Sequence, residues 1–383
     1  MNKTIRNEVY FISSSLNLGG AEVQSVWLAN QFQKKGYKVS YVVLKNTTFI
    51  ASYLNEDIEL IQYKMYTENS RKNLLKLRQL YNFFSGVILF RKKIKHKNAV
   101  IFSFMFHANI FGFLSTIFTN RRHIICIRND RFNSRNSTKN LKIRSILIYI
   151  ATIFSTRVIF NSKKAKNVMK KRIPNKNKKE LILNSITDFN LEINEEIYSK
   201  IAVFLDSNKN KFVSIGRLEP LKNYENILKA FQRIKDSGID FKYVIFGQGF
   251  LEPKLKNLIS KYDLENNVLL VGGVKGAKEY LNLFDYFILC SIHEGFPNSL
   301  IEAMSKKLLP FVTDAGDSFD IIGNNRGIKI DGTEPENIAS SIVSFIETKN
   351  KKRKEDIFIN IENYLNTELN PDNIINKWIK LTE

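Results

Sequence analysis

The sequence predicts an α/β protein of two doubly wound, Rossmann-like parallel-sheet domains facing a central cleft. Three observations carry that reading. At 383 residues the chain is too long for one ordinary core. Apolar strand-like runs alternate with helical patterns, pause near residue 188 and restart at residue 211. Glycines mark strand exits at Gly19-Gly20, Gly216, Gly247 and Gly272-Gly273, the end at which open α/β sheets bind ligands.

The first strand has Val9-Tyr10-Phe11-Ile12 as its apolar body. It feeds Leu18-Gly19-Gly20-Ala21-Glu22 and a helix to about residue 35, with Val23, Val26, Trp27 and Phe32 on one side. The glycine pair either lets a substrate approach the backbone or makes a plain tight turn. Gly36 stops the helix, and a second strand follows over 37–44. Residues 71–97 form a basic helical region split by the apolar stretch from Phe83 to Phe90. Arg71, Lys72, Lys76, Arg78 and Arg91-Lys92-Lys93 flank that stretch, as in an interfacial amphipathic element or a core helix pair with a solvated face. A strand over 99–104 leads to His107, placed either to reach the cleft or to cap and pack at the junction. The next strand ends in Arg128-Asn129-Asp130. A short strand over 157–160, a very basic helix over 163–172 and the run 181–185 complete a first domain of residues 1–190. Residues 188–210, polar and acidic with no strong strand, read as the linker.

The second domain, 205–365, repeats the alternation. Its first strand exits through Gly216-Arg217-Leu218-Glu219-Pro220-Leu221-Lys222-Asn223, and the next through Gly247-Gln248-Gly249. A later strand exits through Thr313-Asp314-Ala315-Gly316-Asp317. The last helix, within about 366–383 and carrying Trp378, is expected to pack back on the first domain.

Charge is unevenly placed. Residues 66–180 hold 27 Lys and Arg against Glu68, Asp130 and Glu180, a net of +24 in a chain whose total is +22. A Lys/Asn/Ile-rich coding bias contributes, but bias alone spreads along a chain. An anionic partner is expected, with nucleic acid and an anionic membrane surface both fitting such a field. No run approaches the apolar length of a membrane span, and no signal-peptide core precedes the first strand. Cys126 and Cys290 sit in apolar runs as reduced core thiols, which fits a cytosolic setting.

The densest chemistry lies between Cys290 and Met304. An apolar strand ends at Cys290, a loop carries Glu294, Gly295 and Pro297, and a helical pattern begins near Asn298. A helix N-terminus offers unpaired N–H groups to phosphate, while Glu294 and Glu302 offer acceptors to sugar hydroxyls. Arg217 and Lys222, five residues apart on a strand-to-helix turn, suit two phosphates. There is no Gly-x-x-x-x-Gly-Lys-Ser/Thr loop, no Gly-x-Ser-x-Gly elbow and no zinc spacing among His96, His107, His123 and His293. The pattern is that of a metal-independent sugar-nucleotide pocket needing no cofactor.

The stretch from Ser291 to Met304 resembles the E-x7-E signature of retaining glycosyltransferases of family 4 (group 1), which have the GT-B fold. Gly216-Arg217-Leu218 with Lys222-Asn223 resembles that family's donor-phosphate motif. Gly247-Gln248-Gly249, Thr313-Asp314, Leu18 to Glu22 and Leu183 to Asp188 resemble its other markers. The resemblance implies that Arg217 and Lys222 hold the donor diphosphate, Glu302 the ribose, and Glu294 the sugar ring. It implies that Gly216, Gly247 and the backbone of Gly295, Phe296, Pro297, Asn298 and Ser299 line the donor. It also implies attack from the leaving group's own face, cationic stabilisation of the departing diphosphate being the main catalytic term. Many relatives carry His where this chain has Phe104, which leaves His107 as the nearby candidate. Asn184-Ser185 replaces their Asn-Gly. Gly19, Gly20, His107 and Arg128 fall to the acceptor side.

The expected activity is transfer of a hexose or N-acetylhexosamine from a nucleoside-diphosphate sugar, with retention, to a saccharide acceptor. The basic first half points to a polyprenyl-diphosphate-linked glycan in cell-surface polysaccharide assembly, at the inner face of the plasma membrane. A sugar-nucleotide 2-epimerase of the same architecture and a basic nucleic-acid-binding protein are the competing readings.

Overall fold

The computed structural model describes residues 6–17, 19–66, 73–94, 96–128, 139–169, 178–187, 189, 191–205, 210–348 and 351–383. The motif positions Leu18, Arg71, Lys72, Asn129, Asp130 and Asp188, and 170–172 of the basic helix, lie outside them. The chain divides into two compact units, Met1–Phe189 with Pro371–Glu383, and Asn190–Asn370.

The first unit runs β1 (Arg6–Ser13), α1 (Gly20–Lys34), β2 (Tyr37–Lys45), β3 (Glu59–Tyr66), α2 (Asn73–Lys93), β4 (Val100–Phe104), α3 (Phe106–Thr116), β5 (Arg122–Ile127), α4 (Lys139–Phe154), β6 (Arg157–Phe160), α5 (Lys163–Met169) and β7 (Lys179–Leu181). Its seven strands lie in the order β3-β2-β1-β4-β5-β6-β7, and every pairing is parallel. Because both faces are covered, β1 reads as an unbroken apolar run rather than an alternation. Val9 and Phe11 enter one core with Trp27 and Phe32 of α1. Tyr10 and Ile12 enter the other, with Phe83 and Phe90 of α2 and Phe111 of α3. The apolar stretch from Phe83 to Phe90 interrupts nothing, since α2 is one continuous helix across it.

The second unit runs α6 (Glu195–Leu205), β8 (Lys211–Ile215), α7 (Tyr224–Asp236), β9 (Lys242–Phe246), α8 (Glu252–Lys261), β10 (Val268–Gly272), β11 (Tyr286–Leu289), α9 (Asn298–Ser305), β12 (Leu309–Thr313), α10 (Ser318–Ile322), β13 (Ile328–Ile330), α11 (Pro335–Glu347) and α12 (Lys351–Thr367). Its six-stranded sheet, again parallel, has the order β10-β9-β8-β11-β12-β13. The stretch read as a linker contains α6, which buries Ile201 and Leu205 and belongs with the second unit. The backbone N–H of Asn194 donates to the Tyr280 hydroxyl at 2.8 Å and anchors its start.

The final helix, α13 (Pro371–Ile379), counts with the first unit. Trp378 is fully buried there, its ring edge-on to Phe102 at 5.5 Å.

In each sheet the strand order reverses at one place, between β1 and β4 and between β8 and β11. The loops leaving the two strands beside such a reversal diverge to opposite faces and leave a crevice at their carboxyl ends. Gly19, Gly20, His107, Arg128, Arg217, Lys222, Gly247 and Glu294 all come from those exits or from a strand next to them.

Candidate active site

In the second unit the two exits that flank the reversal are tied together. After β8 the chain passes Gly216 and Arg217 and tightens into a 3-10 turn over Pro220–Lys222. Asn223 then takes the left-handed conformation, φ 59°, and α7 begins. After β11 the chain runs from Cys290 to Pro297, and α9 begins at Asn298. The Ile292 N–H donates to the Leu221 carbonyl at 2.8 Å, joining the two exits backbone to backbone.

That junction sets the central pair. The Lys222 Nζ donates to Glu294 Oε1 at 2.5 Å, and the Ser291 hydroxyl donates to the same oxygen at 2.7 Å. Both charged side chains are mostly shielded, 19% and 14% exposed, so water weakens their attraction only in part. Lys222 reaches the pair by lying across Gly216, where an added Cβ would stand 3.1 Å from its Cε.

Arg217 is placed differently. Its side chain is 64% exposed and Nη1 pairs with Glu219 at 2.6 Å. Among the described residues Arg217 and Lys222 therefore share no partner, and each cation is held by its own glutamate.

Glu302 lies on the second turn of α9, eight residues after Glu294. Burial holds its carboxyl above the usual carboxylate range; the Lys278 charge pulls it down and Glu279 pushes it further up. Phe296 and Pro297 are buried, while Gly295, Asn298 and Ser299 are half-buried at the start of α9. The first-turn N–H groups of that helix face the end where anions are favoured.

Two glycines hold the frame by close approach of backbones. A Cβ on Gly247 would stand 1.9 Å from the Gly216 carbonyl oxygen, so the Gly247-Gln248-Gly249 turn packs flat on the Arg217 turn. The Leu218 N–H donates to the Gln248 carbonyl at 3.0 Å across that seam. Gly247, assigned to the donor by resemblance, has the neighbouring turn as its immediate contact. Gly316, at φ +56°, does the same on the other side, where a Cβ would meet the Gly295 and Glu294 carbonyl oxygens at 2.2 and 2.6 Å. The Thr313 hydroxyl donates to the Ser291 carbonyl at 2.8 Å and the Asp317 N–H to the Gly295 carbonyl at 3.0 Å. Sequence reasoning named Thr313-Asp314 but gave Gly316 no role; a glycine three residues past a strand end was the available signal.

In the first unit, Gly19 is the N-cap of α1. The space beside it is filled by Glu22, whose Oε2 would lie 2.3 Å from an added Cβ. The Ser15 hydroxyl donates to Glu22 Oε1 at 3.1 Å, so a carboxylate already sits at this positive helix end. Glu22 as a filler of the glycine loop was missed. Its signal was an acidic residue in the first helical turn.

His107 sits in the first turn of α3, after Met105 with φ 70°. Burial lowers its pKa to about 4, and Arg144 and Lys45 add to the shift. The imidazole is thus neutral at neutral pH. His123 is buried in β5 with its pKa lowered to about 3 by desolvation, and its Nε2 lies 2.8 Å from the Ser103 hydroxyl. Both folded values lie below the unfolded value of about 6.5, so the unfolded chain binds more protons between them. Stability is therefore expected to fall as pH drops from about 6.5 towards about 4. Melting temperatures of the wild type and His107→Asn across that window check this, the variant showing the shallower slope.

Arg128, just past β5, stacks over Phe104 at 4.9 Å and Trp378 at 5.9 Å. Its Nη1 donates to Asn184 Oδ1. Nε and Nη2 are buried and, among the described residues, lack a hydrogen-bond partner. Burial lowers its pKa, as expected of a guanidinium taken out of water. Among the described residues no cluster of three His, Cys, Asp or Glu fit for a metal ion occurs.

The geometry defines an α/β protein of two parallel-sheet units, with a shielded charged pair at a strand-order reversal of the second. Residues 199–358 match the family model described as glycosyl transferases group 1. An uncharacterized glycosyltransferase of Methanocaldococcus jannaschii is 26% identical over 307 residues, 76% of this chain and 72% of the relative. The N-acetylgalactosamine-N,N'-diacetylbacillosaminyl-diphospho-undecaprenol 4-alpha-N-acetylgalactosaminyltransferase of Campylobacter jejuni is 37% identical over 107 residues, 28% of each chain. Among solved structures, Anabaena HepE in complex with UDP matches with a TM-score of 0.76 at 18% identity, covering 97% of this chain and 98% of that one. TarM matches with a TM-score of 0.78 at 13% identity over 100% of both chains. At such identities the structures speak for the fold, which is GT-B. The protein is a glycosyltransferase, and within its second unit residues 199–358 are similar to the group 1 glycosyl transferases.

Proposed function

We propose that this glycosyltransferase moves a hexose or N-acetylhexosamine from a nucleoside-diphosphate sugar, with retention, onto a polyprenyl-diphosphate-linked saccharide during cell-surface polysaccharide assembly. The observation that carries it is the Lys222–Glu294 pair at the β8/β11 reversal, with the α9 N-terminus beside it and Glu302 eight residues on. Relatives supply the context: HepE was crystallised with UDP, and the Campylobacter enzyme is named for a diphospho-undecaprenol acceptor.

In this reading the donor diphosphate lies over the first turn of α9, its charge met by the Lys222 ammonium and by Arg217, which exchanges Glu219 for phosphate. Glu302 accepts from the ribose hydroxyls. Freed from Lys222, Glu294 turns to the sugar ring. As the glycosidic bond breaks, charge grows on the leaving diphosphate, and Lys222, Arg217 and the α9 amides stabilise it more in the transition state than in the ground state. No cofactor or metal is required, so turnover is expected to hold in the presence of a chelator. Arg128 reads acceptor phosphate with its Nε and Nη2, for which the aromatic stack and Asn184 pre-set the guanidinium plane. The enzyme works at the cytoplasmic face of the plasma membrane.

Incubation with UDP- and GDP-sugars and a lipid-linked acceptor, with mass spectrometry of the product, tests the reaction; proton NMR of the new anomeric centre tests retention. Glu302→Ala is expected to weaken donor affinity about 10- to 100-fold, the range for losing hydrogen bonds to a charged acceptor. An unchanged donor KM in that variant would remove Glu302 from the ribose.

A further inference from the structure

A surface helix of a folded domain needs one apolar stripe, the one facing its core. Two helices of the first unit have two. In α4, Ile148 and Ala151 face the core. On its other side Ile143, Ile146, Leu147, Ile150, Ile153 and Phe154 are all exposed, with Ile146 and Phe154 at 58%. Their spacing of i, i+3, i+4, i+7, i+10 and i+11 puts them on one outward stripe. In α2, Phe83, Val87 and Phe90 face the core. Leu77, Leu80, Tyr81, Phe84 and Ile88 form a second outward stripe at i, i+3, i+4, i+7 and i+11, with Tyr81 74% exposed. Both helices pack on α3, so both stripes belong to one side of the first sheet. Phe118, just beyond α3, is 92% exposed between them in sequence.

Neither α2 nor α4 contains an acidic residue. Exposed Arg78 and Lys92 border the first stripe and Lys142 and Arg144 the second. The segment of sequence that contains both helices, residues 66–180, carries a net +24. Apolar stripes edged by cations fit a surface that is anionic at the headgroups and hydrocarbon beneath, the long basic side chains reaching up to phosphate while the stripe sinks. No described helix is long and apolar enough to cross a membrane, so the stripes would lie in the interface plane.

We propose that α2 and α4 form a two-helix platform that seats the first unit on an anionic lipid surface. This deepens, and rests on, the reading that the acceptor is lipid-linked. Flotation of the full chain with phosphatidylcholine vesicles, with and without phosphatidylglycerol, tests it. The wild type should float with anionic vesicles and remain below with neutral ones. Ile146→Ser with Ile150→Ser, and separately Leu77→Ser with Tyr81→Ser, should each cut the floated fraction about tenfold. The thermal shift given by UDP should be the same in all three proteins, which shows that the variants remain folded. Flotation equal to the wild type in both variants would overturn the platform. So would equal flotation on neutral vesicles, or a dimer in sedimentation that the same substitutions dissolve, since the stripes would then serve a second copy. A wild type that floats as described but gives no shift with UDP or GDP would end the nucleotide-sugar reading while leaving the platform in place.

Discussion

Replacing Lys222 by Ala is expected to lower kcat/KM about 10²- to 10³-fold, the range for losing one preorganised charge from a developing anion. Two effects combine. The diphosphate loses its best-shielded cation, and Glu294 loses the ammonium that holds Oε1 at 2.5 Å. Lys222→Arg is expected to recover only part of the rate, because the ammonium reaches Glu294 across Gly216 in a space shaped for a slender stem. Steady-state kinetics with a single donor separates the terms. A fall in kcat marks a transition-state role, whereas a rise in donor KM at constant kcat marks uniform binding.

The second large effect is on stability. Gly247→Ala places a Cβ 1.9 Å from the Gly216 carbonyl oxygen, a backbone atom that cannot swing aside. The turn carrying Arg217 must then part from the turn after β9, losing the Leu218 to Gln248 hydrogen bond. A loss of about 3 kcal/mol is expected, with a fall in melting temperature of about 10 °C. Gly238→Ala is the control, a glycine at φ +79° with nothing within 4 Å of an added Cβ, where only backbone strain acts and a smaller loss is expected. Equal losses in the two variants would show that the seam between the turns does not matter.

These positions show what could be read from the chain before folding. The parallel sheets were legible because a strand buried on both faces writes itself as a continuous apolar run, as in Val9 to Ile12 and Phe287 to Leu289. The polar-alternating edge strand β3, Glu59–Tyr66, and the three-residue β13 were not, since neither carries such a run. The helix α6 hid in a stretch taken as linker because only Ile201 and Leu205 of its eleven residues are buried.

In the site, Glu294, Glu302, Arg217 and Lys222 were legible as residue types at telling places. Their pairings were not. That Lys222 meets Glu294, 72 residues away, follows from strand order, which puts β8 beside β11. That Arg217 turns outward follows from Glu219, two residues on, which offers a nearer carboxylate. Gly316 against Glu294, and Arg128 among Phe104, Trp378 and Asn184, are likewise contacts between segments far apart in sequence.

The central claim is that a nucleoside diphosphate binds where Lys222 meets the loop before α9. Calorimetric titration of the wild type and Lys222→Ala with UDP and GDP tests it most directly. One-to-one binding of at least one of them, weakened about tenfold or more in the variant, is the predicted result. Binding of equal strength to both proteins would contradict it.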